Sequence, residues 1–256
     1  MDEQLLSDKD SSRSVLRVGD TVRRPVEFWQ PAVVDLLKYL ESVGFGYSPR
    51  HLGFDDKGRE VLTYIDGESG KAGWFNIISE DGLKKYAKLL RSYHEAIEGY
   101  KPPANLEWST GGKSLGKGDI VCHGDFGPWN IVWRQGEPIG ILDWDLAHPN
   151  TFEHDVLYAL EYAAPFRDDE IAKTWHHFER APDRKRRIDM FLESYGIGHI
   201  DNLAQKVARM QREVGGHEKY LAERGIHPQV DWVLDGDLIA VEKRAEWTEA
   251  NISLFS

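Results

Sequence analysis

Residues 121–132 read Val121-Cys122-His123-Gly124-Asp125-Phe126-Gly127-Pro128-Trp129-Asn130-Ile131-Val132, and Ile141-Leu142-Asp143-Trp144-Asp145 follows shortly after. A short apolar strand leads into His-Gly-Asp. An Asn comes after four intervening residues, and a second apolar run delivers Asp143. Three oxygen-bearing side chains on short loops can orient a hydroxyl, take its proton and hold a hard cation. Phosphoryl transfer asks little more of a protein than such positioning and the neutralisation of phosphate charge.

Upstream of this stretch the chain reads as a small sheet carrying one helix. Residues 1–14 are polar and read as frayed. Val15–Val18 and Thr21–Arg24 form a strand pair around the turn Gly19-Asp20, closed by Pro25. Pro31 stands where a first helical turn begins, and Ala32, Val33, Leu36, Leu37 and Leu40 follow at helical spacing. His51–Phe54 and Glu60–Ile65 read as two more strands. Asp66-Gly67-Glu68-Ser69-Gly70 marks a hinge, beyond which the pattern is mostly helical. Leu83, Tyr86, Leu89, Leu90, Tyr93 and His94 share one face of a long helix. Further helices are expected near 152–163, 168–180, 182–195, 202–223 and 237–251. The organisation is α+β, with a β-rich lobe at 1–66 and a helical lobe at 67–256 that holds the acidic loop.

The 256 residues suffice for such a core. With 43 acidic against 32 basic residues the net charge is −11, which speaks against a nucleic-acid partner and leaves solubility or a cationic ligand as readings. One cysteine, Cys122, rules out an internal disulfide and suits a reducing compartment, so a cytoplasmic location is expected. No basic-then-apolar leader opens the chain, and no stretch nears the ~20 apolar residues of a membrane span.

His123–Asn130 together with Asp143–Asp145 resembles the aminoglycoside phosphotransferase family of the protein-kinase-like superfamily. The likeness extends to the Asp66-Gly67 hinge, the helix ending in Tyr93-His94, and Asp155. It implies a two-lobed protein-kinase-like fold, ATP or GTP as donor, Mg2+, and a small-molecule alcohol as acceptor. By that resemblance Asp125 is the catalytic base, and Asn130, Asp143 and Asp145 are metal-side residues. His123 and Asp155 brace the loop. Tyr64, Ile65 and Asp66 meet the nucleotide base. The N-terminal sheet departs from the family pattern. It has no Gly-x-Gly-x-x-Gly, only Gly19-Asp20 could cover phosphates, and no Glu opens the following helix. This is a compact branch with a trimmed N-lobe. Arg23 is the first candidate for the phosphate-contacting cation, with Arg24 as rival.

Each residue also has a plainer reading. Asp125 could cap a turn, Trp129 and Trp144 read as packing, and Cys122 as inert core. Glu161 and Asp168, seven apart, could line an acidic cleft for a cationic acceptor, or belong to a solvated helix face. Glu153, Asp169 and Glu170 stand in the same cluster. Gly111-Gly112-Lys113-Ser114 resembles the end of a phosphate-binding loop but lacks its first glycine, since Glu107 stands there. The leading expectation is a kinase for an antibiotic-type alcohol. A metabolite kinase for choline, homoserine or a sugar, a non-catalytic nucleotide binder and a metal-dependent hydrolase are the rivals. Oligomeric state is left open.

Overall fold

The computed structural model describes residues 3–7, 14–111 and 114–256. Gly112 and Lys113 of the glycine-lysine loop, and most of the first fourteen residues, lie outside them. The first lobe is one antiparallel sheet in the order β1-β2-β3-β5-β4. Its strands are β1 (Glu3–Ser7), β2 (Val15–Val18), β3 (Thr21–Arg24), β4 (His51–Phe54) and β5 (Glu60–Thr63). β1 corrects the expectation of a frayed start. Glu3 to Leu5 pair with Val18 to Leu16, so the polar N-terminus gains a ladder that its composition does not advertise. Helix α1 (Gln30–Ser42) carries Pro31 in its first turn and buries Ala32, Val33, Leu36, Leu37 and Leu40, the set that its spacing predicts.

The chain passes from sheet to helices between Thr63 and Lys71. A short helix, α2 (Lys71–Ile78), enters here and was not separable from the hinge in sequence. Ser79 then caps α3 (Glu80–Ile97) by accepting from Gly82 N at 3.0 Å. α3 runs through the centre of the second lobe, with Leu83, Tyr86, Leu90 and Tyr93 fully buried. Two small ribbons follow. β6 (Ile120–Cys122) pairs with β9 (His148–Asn150), and β7 (Ile131–Arg134) pairs with β8 (Glu137–Ile141). The remainder is helical: α4 (Phe152–Ala163), α5 (Asp169–Thr174), α6 (Arg184–Tyr195), α7 (Leu203–Glu223), α8 (Gln229–Leu234) and α9 (Asp237–Ala250). The helix expected over 168–180 stops at Thr174. His177 adopts a left-handed backbone, and Phe178 N bonds back to Ala172 O at 3.1 Å, turning the chain away. None of these helices is long and apolar enough to cross a membrane, among the described residues.

One contact sets where α2 lies. Gly73 packs directly on the loop that carries Asn130: a Cβ there would stand 1.8 Å from the Pro128 carbonyl oxygen. Gly73→Ala must therefore push helix and loop apart, and a loss of roughly 1–3 kcal/mol is expected. Gly216, within α7, has open space around its Cβ position, so Gly216→Ala should stabilise by up to about 1 kcal/mol. Urea unfolding of both variants checks this. Equal effects would mean that the α2–loop contact is soft.

Candidate active site

The loop after β6 is held from below by one carboxylate. Asp155, in the first turn of α4 and fully buried, accepts from His123 N at 2.7 Å and Gly124 N at 2.9 Å. His94 Nε2 on α3 lies 3.1 Å from the same group. Burial pushes the Asp155 carboxyl up. The His94 hydrogen bond and the nearby His94, His154 and His123 imidazoles outweigh that and hold it well below the usual carboxylate range. Gly124 is left-handed (φ +78°), and its Cβ position would lie 2.0 Å from Leu146 O, so only glycine lets the loop pass the Leu146 backbone there.

His123 is buried against the Trp144 ring, with centroids 4.6 Å apart. Its Nε2 lies 3.0 Å from Leu142 O, an acceptor, so Nε2 carries the hydrogen. Its Nδ1 accepts from Asp125 N at 3.3 Å. Burial drops its pKa to about 4, which makes it a neutral strut between the two loops.

On this frame Asn130, in a single 3-10 turn at Pro128–Asn130, donates Nδ2 to Asp125 Oδ2 at 2.8 Å and to Asp125 O at 3.0 Å. With its nitrogen turned to Asp125, the amide oxygen is the end suited to a cation. Leu142 N donates to Asn130 O at 2.7 Å, while Leu142 O receives His123. Both backbone groups of the residue before Asp143 are thus tied to the catalytic loop. Asp143 itself is exposed and left-handed (φ 58°). An amide oxygen and carboxylates form a hard-donor set that fits Mg2+, which takes one or two carboxylates together with phosphate oxygens.

The two arginines of β3 point to opposite faces, as period-two alternation requires. Arg24 donates to Glu60 Oε2 at 2.5 Å and to Asp145 Oδ1 at 2.7 Å, spanning the two lobes. Arg23 turns to Thr21 Oγ1 at 2.7 Å and to Asp55 at 3.6 Å. Glu60 was missed in sequence. It replaces the absent helix glutamate from β5, where the register sets it directly opposite Arg24. His51 Nδ1 meets its other oxygen at 3.1 Å. Burial opposes the charge on Arg24, but Asp145 and Glu60 keep it firmly protonated. At the hinge, Tyr64 N bonds Asp20 O at 2.9 Å, and Arg134 Nε donates to Asp66 O at 3.0 Å, so these two backbone groups are engaged within the protein. The Ile65 side chain lies over Gly140.

Of the two readings of the acids after Asp145, an acidic cleft or a solvated helix face, the contacts of four fit neither, because each is engaged within the protein. Glu161 is buried between Arg167 at 2.8 Å and Arg244 at 3.3 Å. Asp168 caps α5 through Ile171 N at 2.9 Å. Asp169 pairs with Arg184 at 3.0 Å and Glu153 with Lys206 at 2.7 Å. Beside the catalytic loop stand aromatic rings instead. Trp129 lies 4.7 Å from Tyr162 and 5.5 Å from Trp74, and Trp74 lies 5.5 Å from the exposed Trp175.

A two-lobed α+β fold with an Asp–Asn loop and a β-strand arginine that reaches Asp145 defines a protein-kinase-like phosphotransferase. The profile of the phosphotransferase enzyme family matches residues 114–188. The chain is 33% identical over 214 residues to the trifolitoxin immunity protein of Rhizobium leguminosarum bv. trifolii, covering 79% of this chain and 80% of that one. Its fold is similar to that of ADP-bound aminoglycoside phosphotransferase APH(2'')-Ib (TM-score 0.64, 13% identity, 97% and 94% covered). It is also similar to amicoumacin kinase hAmiN (0.62, 12%, 97% and 88%) and to a choline/ethanolamine kinase family protein from Mesorhizobium loti (0.60, 15%, 96% and 88%). The chain belongs to the aminoglycoside phosphotransferase family and is a phosphotransferase with a hydroxyl acceptor.

Burial gives the site a pH signature. His123, His148 and His176 have pKa values of about 4, 3 and 4, against 6.5 for a free imidazole, burial being the first cause in each. Below pH 6.5 the unfolded chain takes these protons and the folded one does not. Stability therefore falls as pH drops through 6.5 towards 4, by up to about 1.4 kcal/mol per pH unit for each histidine. The half-buried Glu218 carboxyl, raised to about 8 by burial and by Asp237, works the other way and offsets about one histidine. Denaturant midpoints at pH 7, 6 and 5 should still fall, and a rise towards pH 5 would show that the histidines take up protons in the fold.

Proposed function

We propose that this chain transfers the γ-phosphoryl group of ATP or GTP to a hydroxyl of an antibacterial compound and so gives immunity to it. The observation that carries the chemistry is the Asp125–Asn130 pair, fixed at 2.8 Å and tied through Leu142 N to the segment of Asp143 and Asp145, which Arg24 reaches from the other lobe. Asp125 orients the acceptor hydroxyl and receives its proton as the new O–P bond forms. The bond from the γ-phosphorus to the bridging oxygen breaks, and the nucleoside diphosphate leaves. Asn130 and Asp143 hold Mg2+, which when bound neutralises phosphate charge. Asp145 serves chiefly to set Arg24, and Arg24 grips phosphate oxygens in place of Arg23. Ile65 offers its backbone and its side chain to the nucleotide base. The kinship with a protein named for toxin immunity, and the fold shared with an amicoumacin kinase, support the acceptor class. A second reading, a metabolite kinase for an amino-alcohol such as choline, is favoured by the aromatic rings next to the loop, whose faces attract quaternary ammonium groups.

A panel of hydroxyl-bearing antibacterial compounds, choline and ethanolamine, assayed for ATP and GTP consumption with Mg2+, separates the two readings. Asp125→Asn should lower turnover of the best acceptor by roughly 10²–10⁴ while nucleotide still binds. Near-normal turnover in that variant would remove Asp125 as the base.

The cation assignment has its own test. Arg24→Gln should weaken triphosphate binding at least about tenfold, a typical value for losing a charged bidentate contact, with nucleoside binding nearly unchanged. Arg23→Ala should have little effect. Calorimetric titration with triphosphate and nucleoside decides, and the reverse order would return the role to Arg23.

A further inference from the structure

Tyr158 was not singled out by sequence reasoning, although it lies three residues after Asp155 on the same face of α4. Its hydroxyl donates to Asp125 Oδ1 at 2.5 Å, while Asn130 Nδ2 donates to Oδ2 at 2.8 Å. The ring is 5% exposed and is held against Tyr162, with centroids 5.3 Å apart. We propose that Tyr158 is a positioning residue for phosphoryl transfer, fixing the Asp125 carboxylate from the side opposite Asn130. The inference rests on reading Asp125 as the base.

The argument is one of rotational freedom. A carboxylate turns about its last bond unless both oxygens are held, because a single donor at one oxygen leaves the other to swing. With Asn130 on one oxygen and Tyr158 on the other, the plane of the group is set before substrate arrives. Burial pushes the Tyr158 phenol well above its ordinary range, so it remains a donor at every working pH. One turn of α4 then has two linked duties. Asp155 holds the backbone of the catalytic loop, and Tyr158 holds its reacting side chain.

Tyr158→Phe keeps the ring packing and removes only the donor. Turnover of Mg-ATP or Mg-GTP, to the best acceptor or to water, should fall roughly 10- to 100-fold, the scale of a misplaced catalytic group. KM for nucleotide and for acceptor should stay within about twofold, a split that a general loss of structure would not produce. In an Asp125→Asn background the same substitution should cost nothing further, because its effect passes through the carboxylate. Unchanged kcat in Tyr158→Phe, with Asp125→Asn impaired, would overturn the role of Tyr158 alone. Normal turnover in Asp125→Asn would overturn the base reading itself. Mass spectrometry after incubation with Mg-ATP should find no phosphate on Tyr158, and finding it would make the hydroxyl an acceptor and end the proposal. Crystal structures of both proteins decide independently of activity. Asp125 should hold one rotamer in the parent and spread in Tyr158→Phe, and an unmoved carboxylate would refute the inference.

Discussion

The buried carboxylate of Asp155 is the constraint on which the site depends. An isolated anion at that depth would be prohibitively costly, so it must be surrounded by donors. Three are supplied: two successive backbone N–H groups of the catalytic loop and an imidazole from the central helix α3. Its place in the first turn of α4 adds the helix dipole. The ring that it orients is tied onward, since His94 Nδ1 lies 2.6 Å from the Tyr195 hydroxyl on α6. Through one side chain, three helices and the His-Gly-Asp turn share a position. The loop is short and irregular, and alone it would have no reason to hold Asp125 still.

A second ionic arrangement joins the lobes. In the family pattern a strand cation is braced by a glutamate on the next helix. Here α1 begins with Gln30 and Pro31, and no acid stands in its first turn. The brace comes from within the sheet, because antiparallel β3–β5 pairing places Glu60 opposite Arg24. His51 on β4 completes the support. Glu60 is wholly buried, so its charge holds Arg24 without competition from water. The first lobe thus keeps a braced cation while dispensing with a helix-borne partner. Because the same guanidinium reaches Asp145, the sheet is latched to the loop that carries Asp143.

What could be read in the sequence divides along this line. Spacings within one loop were legible, because Asp125 and Asn130 are five residues apart and a single turn brings them together. Helices with a long apolar stripe were legible for the same local reason, as α1 and α3 show. Glu60 was invisible because its partner is 36 residues away and register decides the meeting. Arg23 and Arg24 could not be separated by type, only by the strand face that each occupies. β1 has an unremarkable composition and depends on β2 for its ladder. The helix foreseen at 168–180 shows the opposite failure. Its start was written in the Asp168 cap, but its end depends on His177 entering a backbone region that no sequence periodicity signals.

Net charge misleads about the cleft for a related reason. The acids that follow Asp145 dominate the composition locally, yet Glu153, Glu161 and Asp169 are each closed by an Arg or Lys from a later segment of the chain. Arg244 on α9 and Arg167 meet Glu161, Arg184 on α6 meets Asp169, and Lys206 on α7 meets Glu153. Such pairs cancel at close range, so the field that they present to an approaching ligand is far weaker than their count suggests. They act instead as fasteners between α4, α5 and the C-terminal helices. What stands next to the catalytic loop is a set of rings, Trp129, Tyr162, Trp74 and Trp175, reaching the exposed indole of Trp175. The rings that adjoin the catalytic loop are thus apolar faces, while the acids that follow Asp145 mostly fasten helices, so the −11 of the chain reports its solvated exterior more than those acids.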